Sequence, residues 1–269
     1  MTNKKLSRYK MSPFWQNEQR RQILARERNF EELRETYFLT NFNQKNLNTL
    51  KFWDHQFLES DNLVYKNGVT KDRINTALSF MGKDSRRILD IGVGRGYLEE
   101  KLDRFKKLDI YGIDISGEAI KAVRRKNRGN FKVCSVYKMG FPPQYFDTIF
   151  ALEILEHIPP TKILSIYKEI GQMLVPGGIF IISVPLNEGL LFGKENKSGH
   201  LREYTEHLIK AELSLAGFKI VQSQELFAFK KFYSIKKVLQ KIFIFNRRWS
   251  PNSIVLRAKK VNKYLGGEK

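Results

Sequence analysis

The sequence predicts an α/β protein built on a doubly wound, mostly parallel sheet of seven strands. Three observations predict it. An apolar strand, Ile88 to Ile91, runs into Gly92-Val93-Gly94-Arg95-Gly96, then a helical pattern, then a second strand ending on Asp114. From there to Ala258, short apolar runs alternate with longer helical patterns, as parallel strands joined by crossover helices do. A chain of 269 residues with 42% hydrophobic residues also has the material for a substantial core.

The elements follow in order. Residues 1–85 read as a helical extension and lid, with a sparse apolar stripe from Phe14 to Tyr37 and an aromatic, polar stretch from Asn41 to Phe57. Asp72 to Met81 reads as a helix leading into the first strand, Arg87 to Ile91. Residues 86–269 read as the main domain. Its first helix spans Tyr97 to Phe105 and its second strand Leu108 to Ile113. Ser116 is placed to cap the next helix, which continues over Ala119 to Arg128. Strands are expected at Asn130–Ser135, Asp147–Leu152, Ile179–Val184, Phe218–Gln224 and Ser253–Ala258, with helices at Pro159–Leu174 and Thr205–Leu215.

The glycine loop has a steric purpose. A tight turn from strand to helix needs backbone angles closed to residues with a Cβ, and close ligand approach needs missing side chains. Such a unit places a nucleotide-like ligand across the ends of two adjacent strands, and an acid at the Asp114 position suits ribose hydroxyls. The dinucleotide spacing Gly-x-Gly-x-x-Gly fails here, because Tyr97 follows Gly96. Asp90, two residues before the first glycine, is a poor neighbour for a pyrophosphate and a good one for a ligand bearing positive charge.

That combination resembles motif I of the class I S-adenosylmethionine-dependent methyltransferases. Phe146 to Ile158, with Glu153-Ile154-Leu155-Glu156-His157, is similar to the family's fourth strand and its ending. Leu174-Val175-Pro176-Gly177-Gly178 and the apolar run to Pro185 resemble its turn and fifth strand. Gly199 to Thr205 and Ala216-Gly217-Phe218 recur in its small-molecule, quinone-biosynthesis-like branches. The resemblance implies a Rossmann-like methyltransferase fold, with the seventh strand antiparallel between the fifth and sixth. It implies S-adenosylmethionine as cofactor, held by Asp90, Gly92, Gly94, Gly96, Asp114, Ile115, Ser135, Val136, Leu152 and Glu153. Many relatives carry an acid at the end of the third strand, where this chain has Cys134, Ser135 and Val136.

Methyl transfer to a hydroxyl is helped by a base that removes the proton. His157 is the candidate base and Glu156 its catalytic neighbour, since imidazole titrates near neutrality. The two could instead hold a divalent metal, as in quinone-type relatives, or be structural; no metal is assigned. His200, Arg202 and Tyr204 are expected at the substrate edge, Arg202 as an anion contact. Its alternative is a salt bridge to a nearby acid. Cys134, the single cysteine, reads as a small strand residue.

The net charge of +20 is uneven. Met1 to Arg87 carries +7, Ile88 to Glu225 only +2, and Leu226 to Gly267 carries +11 with no acid. Within that flank, 226–251 reads as a basic amphipathic insertion, with Phe232, Ile235, Val238, Leu239, Ile242 and Phe243 on one side of a helix. Three readings stand: peripheral contact with an anionic membrane, nucleic-acid binding, or packing of the stripe on the sheet. With neither a leader nor a spanning run visible, the protein is expected to be cytoplasmic, or peripheral on the inner membrane face. The expected function is methyl transfer to an oxygen of a small, lipid-linked or glycan acceptor. The alternatives are an RNA methyltransferase using the basic flanks and a non-catalytic cofactor-binding protein.

Overall fold

The computed structural model describes residues 45–59, 68–186, 188, 198–228, 233–242 and 251–261. The helix expected over 14–37 and much of the 226–251 insertion lie outside these residues. In chain order, α1 is Leu50–Glu59 and α2 is Gly68–Phe80. There follow β1 Arg87–Ile91, α3 Tyr97–Leu102, β2 Asp109–Asp114, α4 Gly117–Lys126, β3 Asn130–Val133 and β4 Phe146–Leu152. A short 3₁₀ turn, Leu155–His157, precedes α5 Ile163–Met173 and β5 Leu174–Pro185. The chain closes with α6 Glu206–Leu215, β6 Phe218–Leu226, α7 Tyr233–Ile242 and β7 Ser253–Lys260.

The seven strands form one sheet in the order β3-β2-β1-β4-β5-β7-β6. All neighbours pair in parallel except β7, which runs antiparallel to both β5 and β6. The winding reverses between β1 and β4. Loops leaving the carboxyl ends of two such strands diverge to opposite faces and leave a crevice, the usual ligand position in a sheet of this kind. The fold class therefore stands as expected from the sequence, and the reversed seventh strand as the family resemblance implied.

Helices cover both faces, so the central strands are buried on both sides and their sequences are nearly unbroken apolar runs. Ile88, Ile110 and Phe150 pack on one face against Leu98, Leu102, Ile120 and Val123 of α3 and α4. Leu89, Ile149 and Phe180 pack on the other against Ile163, Tyr167 and Ile170 of α5 and Leu208 and Leu213 of α6. Helix α2 buries Val69, Ile74, Ala77 and Phe80 in the first of these clusters. It is part of the core, although it lies in the stretch read as extension and lid.

Of the boundaries that differ from the sequence reading, two have identifiable reasons. The helix expected from Pro159 begins at Ile163, because Leu155–His157 first forms a 3₁₀ turn and Pro159-Pro160 follows. Strand β5 begins at Leu174, which pairs with Phe146; the ladder then shifts register before Thr148 pairs with Ile179. The Gly177-Gly178 turn accommodates the shift, with Gly177 at φ 74°.

The segment entering α6 carries a correction. Arg202 and Tyr204, expected at the substrate edge, are both fully buried. The Arg202 guanidinium is ion-paired with Glu212, donates to the Leu155 carbonyl at 3.4 Å and stacks on the Tyr204 ring at 4.5 Å. The hydroxyls of Tyr204 and Tyr167 donate to Glu212 Oε2 at 3.1 and 3.2 Å. Burial pushes the Glu212 carboxyl up, and the Arg202 charge pulls it back. Two desolvated charges that satisfy each other are a structural tie, binding the 3₁₀ turn after β4 to α6; the salt-bridge alternative is the one realised. Removing one partner leaves the other charged and buried. Arg202→Ala should therefore lower stability by about 3–5 kcal/mol, measured by urea unfolding, whereas replacing Arg202 and Glu212 together by Met and Leu should recover most of it.

Candidate functional site

The site lies where β1, β2 and β4 end. All three loop glycines have positive φ: 87° at Gly92, 49° at Gly94 and 77° at Gly96. Their surroundings differ. A Cβ on Gly92 would stand 2.1 Å from Ile154, and one on Gly96 2.9 Å from Val123 of α4. Gly94 has nothing within 4 Å of its missing Cβ. So Gly92 and Gly96 let the chain pack against itself, and Gly94 is the open floor of the site.

Asp114, at the end of β2, fixes this loop. One carboxylate oxygen accepts from Gly94 N–H at 2.9 Å and the other from Ser116 N–H at 2.8 Å. Ser116 is the N-cap of α4 and accepts from Ala119 N–H at 3.1 Å, so Asp114 is not the capping group. Burial raises the Asp114 carboxyl, and the two N–H donors oppose the rise. Its oxygens keep further lone pairs for a ligand hydroxyl.

The cavity above the loop holds about 430 Å³. Gly92, Gly94, Asp114, Ile115, Ser135, Val136, Leu152, Glu153 and His157 line it, bringing together most of the residues expected from the sequence. Gly96 stands behind the loop at the start of α3. A larger open groove of about 600 Å³, lined by Lys83, Asp147 and Lys259, lies at the opposite strand ends and has none of these residues.

Asp90 departs from expectation. It is buried beneath the loop against Glu99 of α3, not on the cavity wall. Burial pushes its carboxyl well above the usual carboxylate range, and the Glu99 charge adds to the push. Burial raises Glu99 itself to about 7. Two adjacent buried carboxylates cannot both ionise cheaply, so burial and mutual repulsion act together against a doubly charged pair.

Glu153 adopts φ 58°, in the left-handed region, directly after β4. Its carboxylate is held from three sides: Ser183 Oγ donates at 2.8 Å, Ser253 Oγ at 3.3 Å, and Arg73 pairs at 2.9 Å. Strain of this kind persists only when the surroundings over-determine it.

Glu156 is also corrected. It is 1% exposed, is not among the residues that line the cavity, and its carboxylate oxygens have no hydrogen-bond partner among the described residues. Burial raises it well above the carboxylate range, and the nearby Glu153 charge adds to this. It is a neutral acid under the site, not a group that meets substrate directly. His157 does reach the cavity. Its Nδ1 lies 3.3 Å from the Gly199 carbonyl, which selects the Nδ1–H tautomer and leaves Nε2 with the lone pair. Burial, then the neighbouring His200, lowers His157 to about 3. His200 stacks edge-on at 4.8 Å from His157 and pairs with Glu188 at 2.7 Å, outside the cavity lining. Glu156, His157 and His200 bring three potential metal donors within 4.8 Å of one another, a cluster their sequence separation does not reveal.

The sequence reading put a lid within residues 1–85 but singled out none of the residues that roof the cavity. Asn48 and Trp53, both at the start of the described chain, line the cavity. Asn48 Nδ2 donates to the carbonyls of Gly199 at 2.9 Å and His157 at 3.3 Å. The Trp53 ring meets the His157 ring edge-on at 4.7 Å. Asp54 accepts from Ser116 Oγ at 2.6 Å and Glu118 N–H at 3.1 Å. Those bonds hold its carboxyl below the usual range and set an anion at the N-terminus of α4. The only signal in the sequence was the aromatic cluster Phe52, Trp53 and Phe57.

Two consequences are measurable. Gly92→Ala should lower the melting temperature well below that of Gly94→Ala, because only the former drives a Cβ into Ile154; equal losses in thermal unfolding would contradict this account. Glu156→Gln removes a group whose folded-state pKa is raised. Its stabilising contribution is present below the ordinary carboxylate pKa and is lost as pH rises through the folded value. The variant's melting temperature relative to the parent should therefore increase from pH 5 to pH 9.

Comparison with known proteins places this geometry. The family described as "Methyltransferase domain" matches residues 65–223. The chain is 29% identical over 155 residues to the ubiquinone biosynthesis O-methyltransferase of Xanthomonas euvesicatoria pv. vesicatoria, covering 54% of this chain and 62% of that protein. It is 26% identical over 161 residues to the sterol 24-C-methyltransferase of Candida albicans, covering 53% of this chain and 42% of that one. The chain thus spans less than two thirds of the length of these curated relatives. The N-methyltransferase NodS of Bradyrhizobium japonicum, solved with S-adenosyl-L-homocysteine, shares the fold with a TM-score of 0.60 at 16% identity, over 79% of this chain and 98% of that one. With the family match covering more than half of the sequence, the loop, the strand order and the cavity have one common explanation: this chain belongs to the methyltransferase-domain family.

Proposed function

We propose that this protein is an S-adenosylmethionine-dependent methyltransferase acting on an oxygen of a small acceptor. The observation that carries the reading is the cavity floor: Gly94, open to the cavity, tied by its N–H to Asp114 at the adjacent strand end. The residues fit the cofactor. Gly94 offers close backbone approach, Asp114 keeps acceptor capacity for ribose hydroxyls, and Ile115, Val136 and Leu152 offer apolar wall to a purine. At the third-strand end Ser135 replaces the acid found in many relatives and offers a weaker acceptor.

When bound, the cofactor supplies a methyl group already activated on a sulfonium. The chain's part is alignment, exclusion of water and handling of one proton. Trp53, Asn48 and Ile158 wall the cavity beside His157 and shield it. His157 is the group placed to take an acceptor proton. Its low pKa keeps it neutral at physiological pH, so its lone pair is available, though the imidazole is a weak base. An acceptor hydroxyl that is itself acidic, of phenolic type, suits such a base. The named O-methyltransferase relative favours oxygen, and a lipid-linked or glycan acceptor remains part of this reading. The nearly neutral core, +2 from Ile88 to Glu225, disfavours the RNA alternative.

Calorimetric titration with S-adenosylmethionine and S-adenosyl-L-homocysteine tests the reading. We expect binding by the parent and a loss of about tenfold or more in Asp114→Ala, the scale of a charge-assisted hydrogen-bond set. Failure of both compounds to bind would end the proposal. Given an acceptor, His157→Gln should lower kcat by about a hundredfold, the smaller end of general-base effects. Because His157 titrates near 3, its protonation should not lower the parent's kcat/KM between pH 7 and pH 5.

A further inference from the structure

Helix α7 is amphipathic, and it is docked the unusual way round. Its polar side meets the body of the protein. Tyr233 packs on Gly68, where a Cβ would stand 2.5 Å from the Tyr233 ring, and its hydroxyl donates to Asp72 at 2.7 Å. Lys237, one turn on, is ion-paired with the same Asp72. The apolar side faces outward: Ile235 is 59% exposed, Val238 57% and Leu239 38%. The simplest expectation for an amphipathic insertion, apolar stripe on the sheet, is therefore not met by these residues.

Charge names the occupant. From Leu226 to Pro251 the sequence has seven Lys/Arg and no Asp/Glu. An exposed aliphatic ridge within an acid-free basic segment complements a surface that is apolar inside and anionic outside. Position supports this. The β6–β7 connection leaves the sheet at Leu226 and returns at Ser253, beside Pro185 at the end of β5. That is the edge on which the cavity opens. Asp72, which anchors α7, adjoins Arg73, which pairs with the cavity residue Glu153.

We propose that the outward face of α7 seats the protein on an anionic lipid bilayer, with Ile235, Val238 and Leu239 entering the interface and the acid-free, basic composition of 226–251 favouring an anionic surface. No helix among the described residues is long and apolar enough to cross a membrane, so the contact is peripheral. Such a contact would set the cavity edge of the sheet against the bilayer, where, on the functional reading above, an acceptor with a lipid tail would be found. The membrane contact does not depend on the methyl-transfer reading.

Vesicle sedimentation of the full chain tests it. Vesicles of phosphatidylcholine with phosphatidylglycerol should carry the protein down, and pure phosphatidylcholine should not. The Ile235→Ser, Val238→Ser, Leu239→Ser triple variant should bind about tenfold or more weakly, from the lost apolar burial. Its cofactor binding should match the parent's, which separates this result from any failure of the functional reading. Should the triple variant not fold, Val238→Cys in a Cys134→Ser background, carrying an environment-sensitive fluorophore, should shift its emission to the blue on anionic vesicles only. The proposal is overturned by equal binding to both vesicle types, by no binding to either, or by undiminished binding of a folded triple variant. Self-association through this face, seen in sedimentation velocity without lipid, or a preference for an RNA oligonucleotide over vesicles, would overturn it too.

Discussion

One carboxylate organises the cavity end of this fold. Asp114 accepts from Gly94 in the β1 loop with one oxygen and from Ser116 at the start of α4 with the other. Ser116 in turn donates to Asp54 of α1. Strand β2, the glycine loop, α4 and the roof helix are thus connected through two side-chain acids and one hydroxyl. A glycine loop alone has no enthalpic reason to hold one shape, since its residues lose the most entropy on ordering. The Asp114 bonds select the shape in which Gly94 faces open space. Hydrogen bonds to a charged acceptor are the stronger kind, and partial burial strengthens them further.

The buried charges divide by whether they have a partner. Arg202 and Glu212 answer each other, and both tyrosine hydroxyls saturate the remaining acceptor capacity; that cluster serves architecture. Asp90 and Glu99 lie buried together beneath the loop, and burial raises both. Glu156 lies neutral under His157, whose Nε2 is 4.0 Å away. None of these last three acids lines the cavity, and burial raises each of them. Desolvation is the common cause: the same burial that raises the acids depresses His157.

Much of this was legible from one sequence. Apolar runs alternating with helical patterns gave every strand to within two residues except β5, which begins five residues early, because parallel strands buried on both faces admit few polar residues. The Gly-x-Gly-x-Gly spacing and Asp114 located the cavity floor, because local sterics and one hydrogen-bond geometry are enough to specify that turn. Side-chain role was less legible. Arg202 looks like an anion contact in the sequence because nothing there reveals that Glu212, ten residues on, returns along α6 to meet it. Glu156 and His157 are neighbours in the chain, yet one faces the protein interior and the other the cavity, a difference decided by the 3₁₀ turn that carries them.

What the sequence by itself determined, then, is everything set by local rules: the fold class, the loop, the cap at Ser116, and the basic character of the segment after β6. The tertiary structure alone decided which elements came together over long separations. It brought Asn48 and Trp53 across more than a hundred residues to roof His157. It also turned the polar side of α7 inward through Asp72 and left Ile235 and Val238 in the open. Hydrophobic periodicity states that a helix has an apolar face. Which way that face points depends on what the rest of the chain offers it, here a carboxylate on α2 that holds the polar side.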